Sequence, residues 1–155
     1  MSNKIPIIIN INNKDVKLNI ESRLLLVDLL RDNLELKGTH IGCDTSQCGS
    51  CMVMIDTKCI KSCSILAVQC NKKSIKTIES IGKENNLSNV QKAFKENHGL
   101  QCGFCTTGFI MTAIECKEKN ISTEEEVREF LDGNFCRCTG YQNIVKSIIS
   151  FMKMS

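Results

Sequence analysis

The chain has 155 residues, of which 11 are cysteine, and a formal net charge of +3. It has no strongly basic stripe, no Trp and only one Tyr, so a nucleic-acid-binding surface is not expected. The length allows one ordinary domain or two small ones, and a piece of about 60 residues buries so little surface that it usually needs a metal or disulfide staple.

The N-terminal sequence MSNKIPIIIN predicts neither a signal peptide nor a membrane span, because Pro6 and Asn10 keep its apolar run short. We therefore expect a soluble cytoplasmic chain. In a reducing compartment, closely spaced cysteines are more often metal ligands or catalytic groups than disulfides. The odd number of cysteines also argues against a closed disulfide framework.

The first third of the chain predicts a β-hairpin followed by a helix. Residues 5–11 and 16–20 are rich in β-branched side chains and are separated by a polar turn at residues 12–15. Leucines then recur at helical spacing over residues 24–34, with Ser22 as a possible N-cap. Further strands at residues 52–55 and 74–78 would complete a small mixed sheet.

After Gly82 the pattern changes to helices, expected at about residues 89–97, 108–118, 124–131 and 142–153. Ser88 with Gln91 is a capping-box pattern, as is Ser122 with Glu125 or Thr123 with Glu126. With a linker at residues 82–89, we expect two domains, residues 1–81 and residues 82–155. Six cysteines lie in the first domain and five in the second.

The loop GCDTSQCGSC places Cys43, Cys48 and Cys51 in the C-x4-C-x2-C spacing of plant-type [2Fe–2S] proteins. Glycines in this loop allow the backbone N–H groups to approach an anionic cluster closely. A fourth ligand must come from downstream, and spacing alone does not choose among Cys59, Cys63 and Cys70. A structural zinc site is the alternative, although zinc ligands usually come as two closely spaced pairs.

A second group of cysteines combines QCGFC, with Cys102 and Cys105, and CRC, with Cys136 and Cys138. Each of these pairs could hold one iron of a second [2Fe–2S] cluster. Both pairs lie near predicted helix starts, where the helix dipole favours an anionic group. A redox-active CxxC is the alternative for the first pair, but no βαβ pattern surrounds it.

The motifs GCDTSQCGSC, Lys-Ser-Cys at 61–63, QCGFC and CRCTGY together resemble the small iron–sulfur subunit of the molybdenum hydroxylases. This family includes xanthine dehydrogenases, aldehyde oxidoreductases, aerobic carbon monoxide dehydrogenases and nicotinate-type hydroxylases. The resemblance implies an α+β chain, with an N-terminal β-grasp (2Fe–2S ferredoxin-like) domain followed by an all-α four-helix [2Fe–2S] domain. It covers nearly the whole chain.

The resemblance also implies which residues form the sites. The ligands of the ferredoxin-type cluster match Cys43, Cys48, Cys51 and Cys63, and those of the helical-domain cluster match Cys102, Cys105, Cys136 and Cys138. Gln101 matches a glutamine that approaches the molybdopterin cofactor of the large subunit.

The function implied is electron transfer within a molybdenum-containing oxidoreductase, from the molybdenum centre through both clusters to FAD, with no substrate site on this chain. Molybdopterin and FAD would lie on partner subunits of a hetero-oligomer, since the chain has no Gly-rich dinucleotide fingerprint. A purine substrate, as in xanthine dehydrogenase, is expected first. The alternatives are an aerobic-type carbon monoxide, aldehyde or nicotinate dehydrogenase, or a free-standing diffusible ferredoxin.

One departure from the family pattern is Thr107, where the family usually has proline. We expect the cluster to tolerate it, because proline in a first helical turn mainly pre-sets φ.

The remaining thiols, Cys59, Cys70 and Cys116, are expected to have no role. For His98 a place at a helix end is expected, and Arg137 could tune the second cluster or contact a partner.

Overall fold

The computed structural model describes residues 4–83 and 85–154. Its N-terminal half is a mixed five-stranded sheet in the order β2-β1-β5-β3-β4. The strands are β1 (Lys4–Ile11), β2 (Lys14–Glu21), β3 (Met52–Ile55), β4 (Lys58–Lys61) and β5 (Ser74–Lys76). Strands β1 and β5 run parallel, whereas the other neighbours are antiparallel.

The predicted hairpin is confirmed, with a tighter turn than expected. Asn12 and Asn13 alone form the loop, and both have positive φ (52° and 66°). A two-residue turn of this kind matches the twist of the flanking strands. Strand β2 therefore begins at Lys14, inside the stretch predicted as a turn. The predicted strands at 52–55 and 74–78 are also present, the latter ending at Lys76.

The first helix differs from its prediction. It consists of α1 (Leu26–Asp28), continued by a π-helical segment, Leu29–Asn33, and Leu25 rather than Ser22 is its N-cap. The start is delayed because the backbone at Leu24–Leu26 pairs with residues 65–67 in an extended arrangement. The leucine spacing still places one face of the helical segment against the sheet, since Leu26, Leu29 and Leu30 are fully buried there.

The second half consists of α2 (Asn89–Glu96), α3 (Thr106–Glu118), α4 (Glu124–Phe130) and α5 (Gln142–Met152). These confirm the four predicted helices, and every end lies within two residues of its predicted position. Capping boxes are present at the start of α2, with Ser88 and Gln91, and at the start of α4, with Thr123 and Glu126. In α4 the Glu126 N–H donates to Thr123 Oγ1 and the Thr123 N–H donates to Glu126 Oε2. A separate core centred on Phe94, Phe109 and Ile148 unites the helices.

Helix α3 joins the two halves, because it packs on β3 and β4. Glu115, only 6% exposed, accepts the Cys59 N–H at 3.0 Å and forms an ion pair with Lys119. The Cys59 thiol donates to the Met111 carbonyl at 3.1 Å. Since β4 is an edge strand, these contacts satisfy an outward-facing donor of the sheet.

The domain boundary between residues 81 and 82 stays a prediction, and residue 84 of the predicted linker lies outside the described residues. No helix within the described part of the chain is long and apolar enough to cross a membrane.

Candidate metal centres

The first group of cysteines gathers around the irregular loop that precedes β3. Cys43 accepts the Cys48 N–H at 3.4 Å, and the Cys51 and Cys63 sulfurs lie 3.3 Å apart. Tetrahedral metal–thiolate bonds of about 2.3 Å place two sulfurs on one metal about 3.8 Å apart. The spacing of Cys51 and Cys63 is therefore close to that of two thiolates on a single metal.

The structure distinguishes the three thiols that competed by sequence for the fourth position. Cys63 contacts Cys51, whereas the Cys59 thiol is turned toward helix α3 and Cys70 is fully buried in the core of the sheet domain. The short strand β4 makes this possible, because it returns the chain from β3 to the cysteine loop and ends two residues before Cys63.

Backbone donors make the outer part of this loop favourable for negative charge. The N–H groups of Cys48, Thr45 and Gln47 lower the pKa of Cys43 to about 6, although desolvation opposes them. Burial instead raises the pKa of Cys51 to about 11. The buried thiol therefore needs a metal to become a thiolate at neutral pH, and the loop N–H groups are arranged to stabilise sulfur anions.

The second group of cysteines lies where helices α3 and α5 begin. The Cys102 and Cys138 sulfurs are 3.7 Å apart, and the Cys105 thiol interacts with that of Cys136. All four sulfur side chains line one cavity of about 200 Å³. The sulfur contacts therefore cross between the two motifs, whereas the prediction from the sequence grouped Cys102 with Cys105 and Cys136 with Cys138.

Polar neighbours support this second group unequally. Burial raises the pKa of Cys105 to about 12. Burial also tends to raise the pKa of Cys136, but hydrogen bonds from the Thr139 hydroxyl and from the backbone at Cys138 and Thr139 bring it below its ordinary value. The Cys136 N–H donates to the Tyr141 hydroxyl at 3.1 Å, a role for Tyr141 that its sequence position did not indicate.

The described residues contain no group of three or more His, Cys, Asp or Glu side chains arranged to hold one metal ion. The four cysteine contacts are pairwise. A [2Fe–2S] cluster takes four protein thiolates on two irons, so it requires two thiolates at each iron. The donor set and its pairwise arrangement fit two such clusters.

The two groups of cysteines are neighbours. The Phe135 N–H, one residue before Cys136, donates to the Cys48 carbonyl at 2.9 Å, and Cys48 also lines the cavity of the second group. Asn134 donates to the Gly49 carbonyl and accepts the Thr112 hydroxyl. Sequence reasoning missed these bridges, since no local pattern in Asn134 and Phe135 indicates a partner more than 80 residues away.

The other residues singled out in the sequence lie as follows. Gln101 is exposed beside Cys102, and Arg137 is exposed at the cavity of the second group. His98 follows α2 with a positive φ of 53°, and Cys116 is fully buried in α3.

Comparison with known proteins identifies a family for each half of the chain. A family described as "2Fe-2S iron-sulfur cluster binding domain" matches residues 9–74, and one described as "[2Fe-2S] binding domain" matches residues 77–149. The chain therefore has two [2Fe–2S] domains. The zinc alternative and the CxxC redox alternative are both replaced by iron–sulfur binding.

Relatives match over nearly the full length. The gamma subunit of caffeine dehydrogenase from Pseudomonas sp. strain CBB1 is 44% identical over 92% of this chain and 87% of its own. The small subunit of nicotine 6-hydroxylase from Paenarthrobacter nicotinovorans is 43% identical over 96% of this chain and 90% of its own.

Among solved structures, a chain of quinoline 2-oxidoreductase from Pseudomonas putida 86 superposes with a TM-score of 0.92 and 40% identity, covering 97% of this chain and 95% of that one. Aldehyde oxidoreductase from Desulfovibrio gigas gives a TM-score of 0.91 at 36% identity over 96% of this chain and 17% of that one. The β-grasp domain followed by a helical domain is thus confirmed. This chain belongs to the small [2Fe–2S] subunits of the molybdenum hydroxylases and is an electron-transfer subunit of an oxidoreductase.

Proposed function

We propose that this chain relays electrons from the molybdenum centre of a large partner subunit, through its helical-domain cluster and then its ferredoxin-type cluster, to FAD on another subunit. Each cluster supplies a one-electron carrier when bound. The protein supplies the thiolates, the N–H donors and the short distance between the sites.

The proposed ligands of the ferredoxin-type cluster are Cys43, Cys48, Cys51 and Cys63. Those of the helical-domain cluster are Cys102, Cys105, Cys136 and Cys138. The pairwise sulfur contacts in both groups support these assignments, as does the cavity lined by the second group.

The observation that most supports electron transfer between the two sites is the hydrogen bond from the Phe135 N–H to the Cys48 carbonyl. It joins the backbone of one proposed ligand directly to the residue before another, Cys136. An electron therefore has a continuous path of covalent bonds and one hydrogen bond between the two sites. A carrier with two independent clusters would need no such connection.

We place the large subunit over the exposed side of the second group. Cys102 and Cys138 are exposed there, next to Gln101, which we propose contacts the molybdopterin. Large apolar side chains that are 40–51% exposed lie nearby along the chain: Ile41, Leu100, Phe104 and Phe135. Apolar groups in such a position are typical of a protein–protein interface.

We propose a nitrogen-containing aromatic ring, with purines first, as the substrate of the complex. The relatives at 43–44% identity are named for caffeine, a purine, and for nicotine, whereas the Escherichia coli aldehyde oxidoreductase subunit is 36% identical. A nicotinate dehydrogenase is the alternative within this class, and an aldehyde or carbon monoxide dehydrogenase is the alternative outside it. The cytoplasmic location stays a prediction from the sequence.

The ligand assignment is tested by Cys138→Ser in the complex purified with its partner subunits. We expect one of two EPR signals of the reduced enzyme to disappear, because Cys138 contributes to one proposed cluster only. Cys116→Ala, which removes a spare thiol from α3, should keep both signals. Retention of both signals in the Cys138 variant would refute the second ligand set.

The partners and the substrate need separate measurements. Co-purification with two larger subunits, one binding molybdopterin and one FAD, is expected, whereas a stable isolated monomer would favour the free-standing ferredoxin. The complex should oxidise xanthine, caffeine or quinoline faster than benzaldehyde, and the reverse order would overturn the proposed substrate class.

A further inference from the structure

His40 connects the two cysteine loops from a position that neither set of proposed ligands uses. Its imidazole Nδ1 lies 2.7 Å from the carbonyl oxygen of Phe104, in the QCGFC loop of the helical domain. Since a carbonyl only accepts, Nδ1 carries the proton and donates. The His40 backbone N–H donates to the Ser50 carbonyl, which ties the residue to the first cysteine loop.

The His40 and Phe104 rings also stack, with centroids 4.6 Å apart and planes inclined by 20°. The Phe104 ring lies over Gly42, where an added Cβ would be 3.2 Å from its edge. The side chain of one loop thus covers the backbone of the other. The contact therefore has two separable parts, a hydrogen bond and a ring stack.

The hydrogen bond from His40 holds the peptide group between Phe104 and Cys105. In a planar trans peptide the carbonyl of Phe104 and the N–H of Cys105 point in opposite directions, so holding the carbonyl also fixes the N–H. That N–H belongs to Cys105 itself, so it lies beside the sulfur of this proposed ligand, in the cavity that the four cysteines and Phe104 line. Hydrogen bonds to cluster sulfurs help to set the reduction potential of an iron–sulfur cluster.

We propose that His40 is a positioning residue for the helical-domain cluster: by holding the Phe104 carbonyl it orients the Phe104–Cys105 peptide and thereby raises that cluster's reduction potential. The inference rests on the proposed function, since it requires a cluster at Cys105. The direction follows because an N–H aimed at sulfur stabilises the reduced, more negative state. The ferredoxin-type cluster, held by other residues, keeps its potential.

Two substitutions separate the parts of the contact. His40→Phe keeps a ring for stacking and removes the donor, whereas His40→Asn keeps an N–H donor in a similar place and removes the ring. His98→Asn is the matched control, because His98 is the chain's other histidine and is exposed at the end of α2. All variants are made in the full chain and purified with the partner subunits.

The readout is an EPR-monitored redox titration of both clusters. We expect His40→Phe to lower the midpoint potential of the helical-domain cluster alone, by up to a tenfold change in its one-electron equilibrium, or about 59 mV. His40→Asn and His98→Asn should titrate like the wild type. An unshifted His40→Phe, an equal shift in His40→Asn, or a joint shift of both clusters would overturn the proposal.

His40→Leu provides a second route should His40→Phe not assemble. It also removes the donor to the Phe104 carbonyl, so the same lowered potential of the helical-domain cluster is expected and an unchanged one would overturn the hydrogen-bond argument. A wild-type complex with a single cluster signal would instead refute the proposed function itself, which distinguishes the two failures.

Discussion

Replacing Gly108 by alanine tests whether helix α3 is held against the first cysteine loop as closely as the structure indicates. Gly108 lies in the first turns of α3, and a Cβ added there would be 2.1 Å from the Gly49 carbonyl oxygen. Ordinary van der Waals contact begins at 3.4 Å, so the two backbones would have to separate by about 1.3 Å. Both partners are main chain, so no side chain can rotate away.

The expected magnitude follows from two opposing effects. Alanine in place of glycine favours an isolated helix by about 1 kcal/mol. Overpacking a closely fitted contact costs typically about 1–3 kcal/mol, and the upper value applies where backbone meets backbone. The net loss of about 2 kcal/mol corresponds to a melting temperature lower by roughly 4–8 °C for a chain of this size.

The assay is thermal unfolding of the cluster-loaded chain, followed by visible absorption and calorimetry. Gly133→Ala is the matched control, since Gly133 lies in the same region but its added Cβ would meet nothing closer than 3.6 Å. We expect this control to melt like the wild type. A Gly108→Ala chain that melts at or above the wild-type temperature would show that α3 and the loop are not closely packed, and would refute the reasoning.

Three other changes have defined outcomes. Thr107→Pro should stabilise the chain by about 0.4–1 kcal/mol, because proline fits an early helical position. The buried Thr107 hydroxyl has no hydrogen-bond partner among the described residues, so no bond is lost. A melting temperature below that of the wild type would contradict this. Glu115→Ala should lower the free energy of unfolding by about 1–3 kcal/mol, because the Cys59 N–H loses its acceptor. Glu118 is exposed, so Glu118→Ala should leave the stability unchanged. Equal effects of the two substitutions would count against the role of Glu115. Removal of iron with a chelator under anaerobic reduction should weaken the far-UV circular dichroism of the chain, because each domain is small and is stabilised by its cluster. An unchanged spectrum with cooperative melting would disprove that dependence.

Elements specified by local chemistry could be predicted from the sequence. The hairpin at 5–20 combines β-branched runs with an Asn-Asn turn, and the helices at 89–97 and 124–131 begin with capping boxes that the structure contains. In each case the determining interactions lie within a few residues. The C-x4-C-x2-C spacing likewise indicated the right class of cofactor for the first domain.

Features that depend on distant segments could not be predicted. Strand β4 has only four residues and is stabilised by pairing with β3 and by helix α3, so its own sequence carries little signal. The first helix begins late because Leu25 forms a bridge with Leu66. The crossed pairing of Cys102 with Cys138 arises from the approach of two loops that are more than 30 residues apart.

The central claim is that two [2Fe–2S] clusters occupy this chain and lie close enough to exchange electrons directly. Metal and sulfide analysis combined with low-temperature EPR of the dithionite-reduced complex tests it most directly. We predict two clusters of two irons each, so four iron and four acid-labile sulfide per chain, and two distinct signals in equal amount that broaden each other through spin coupling. Zinc in place of iron, a single cluster signal, or two signals without any mutual coupling would contradict the account.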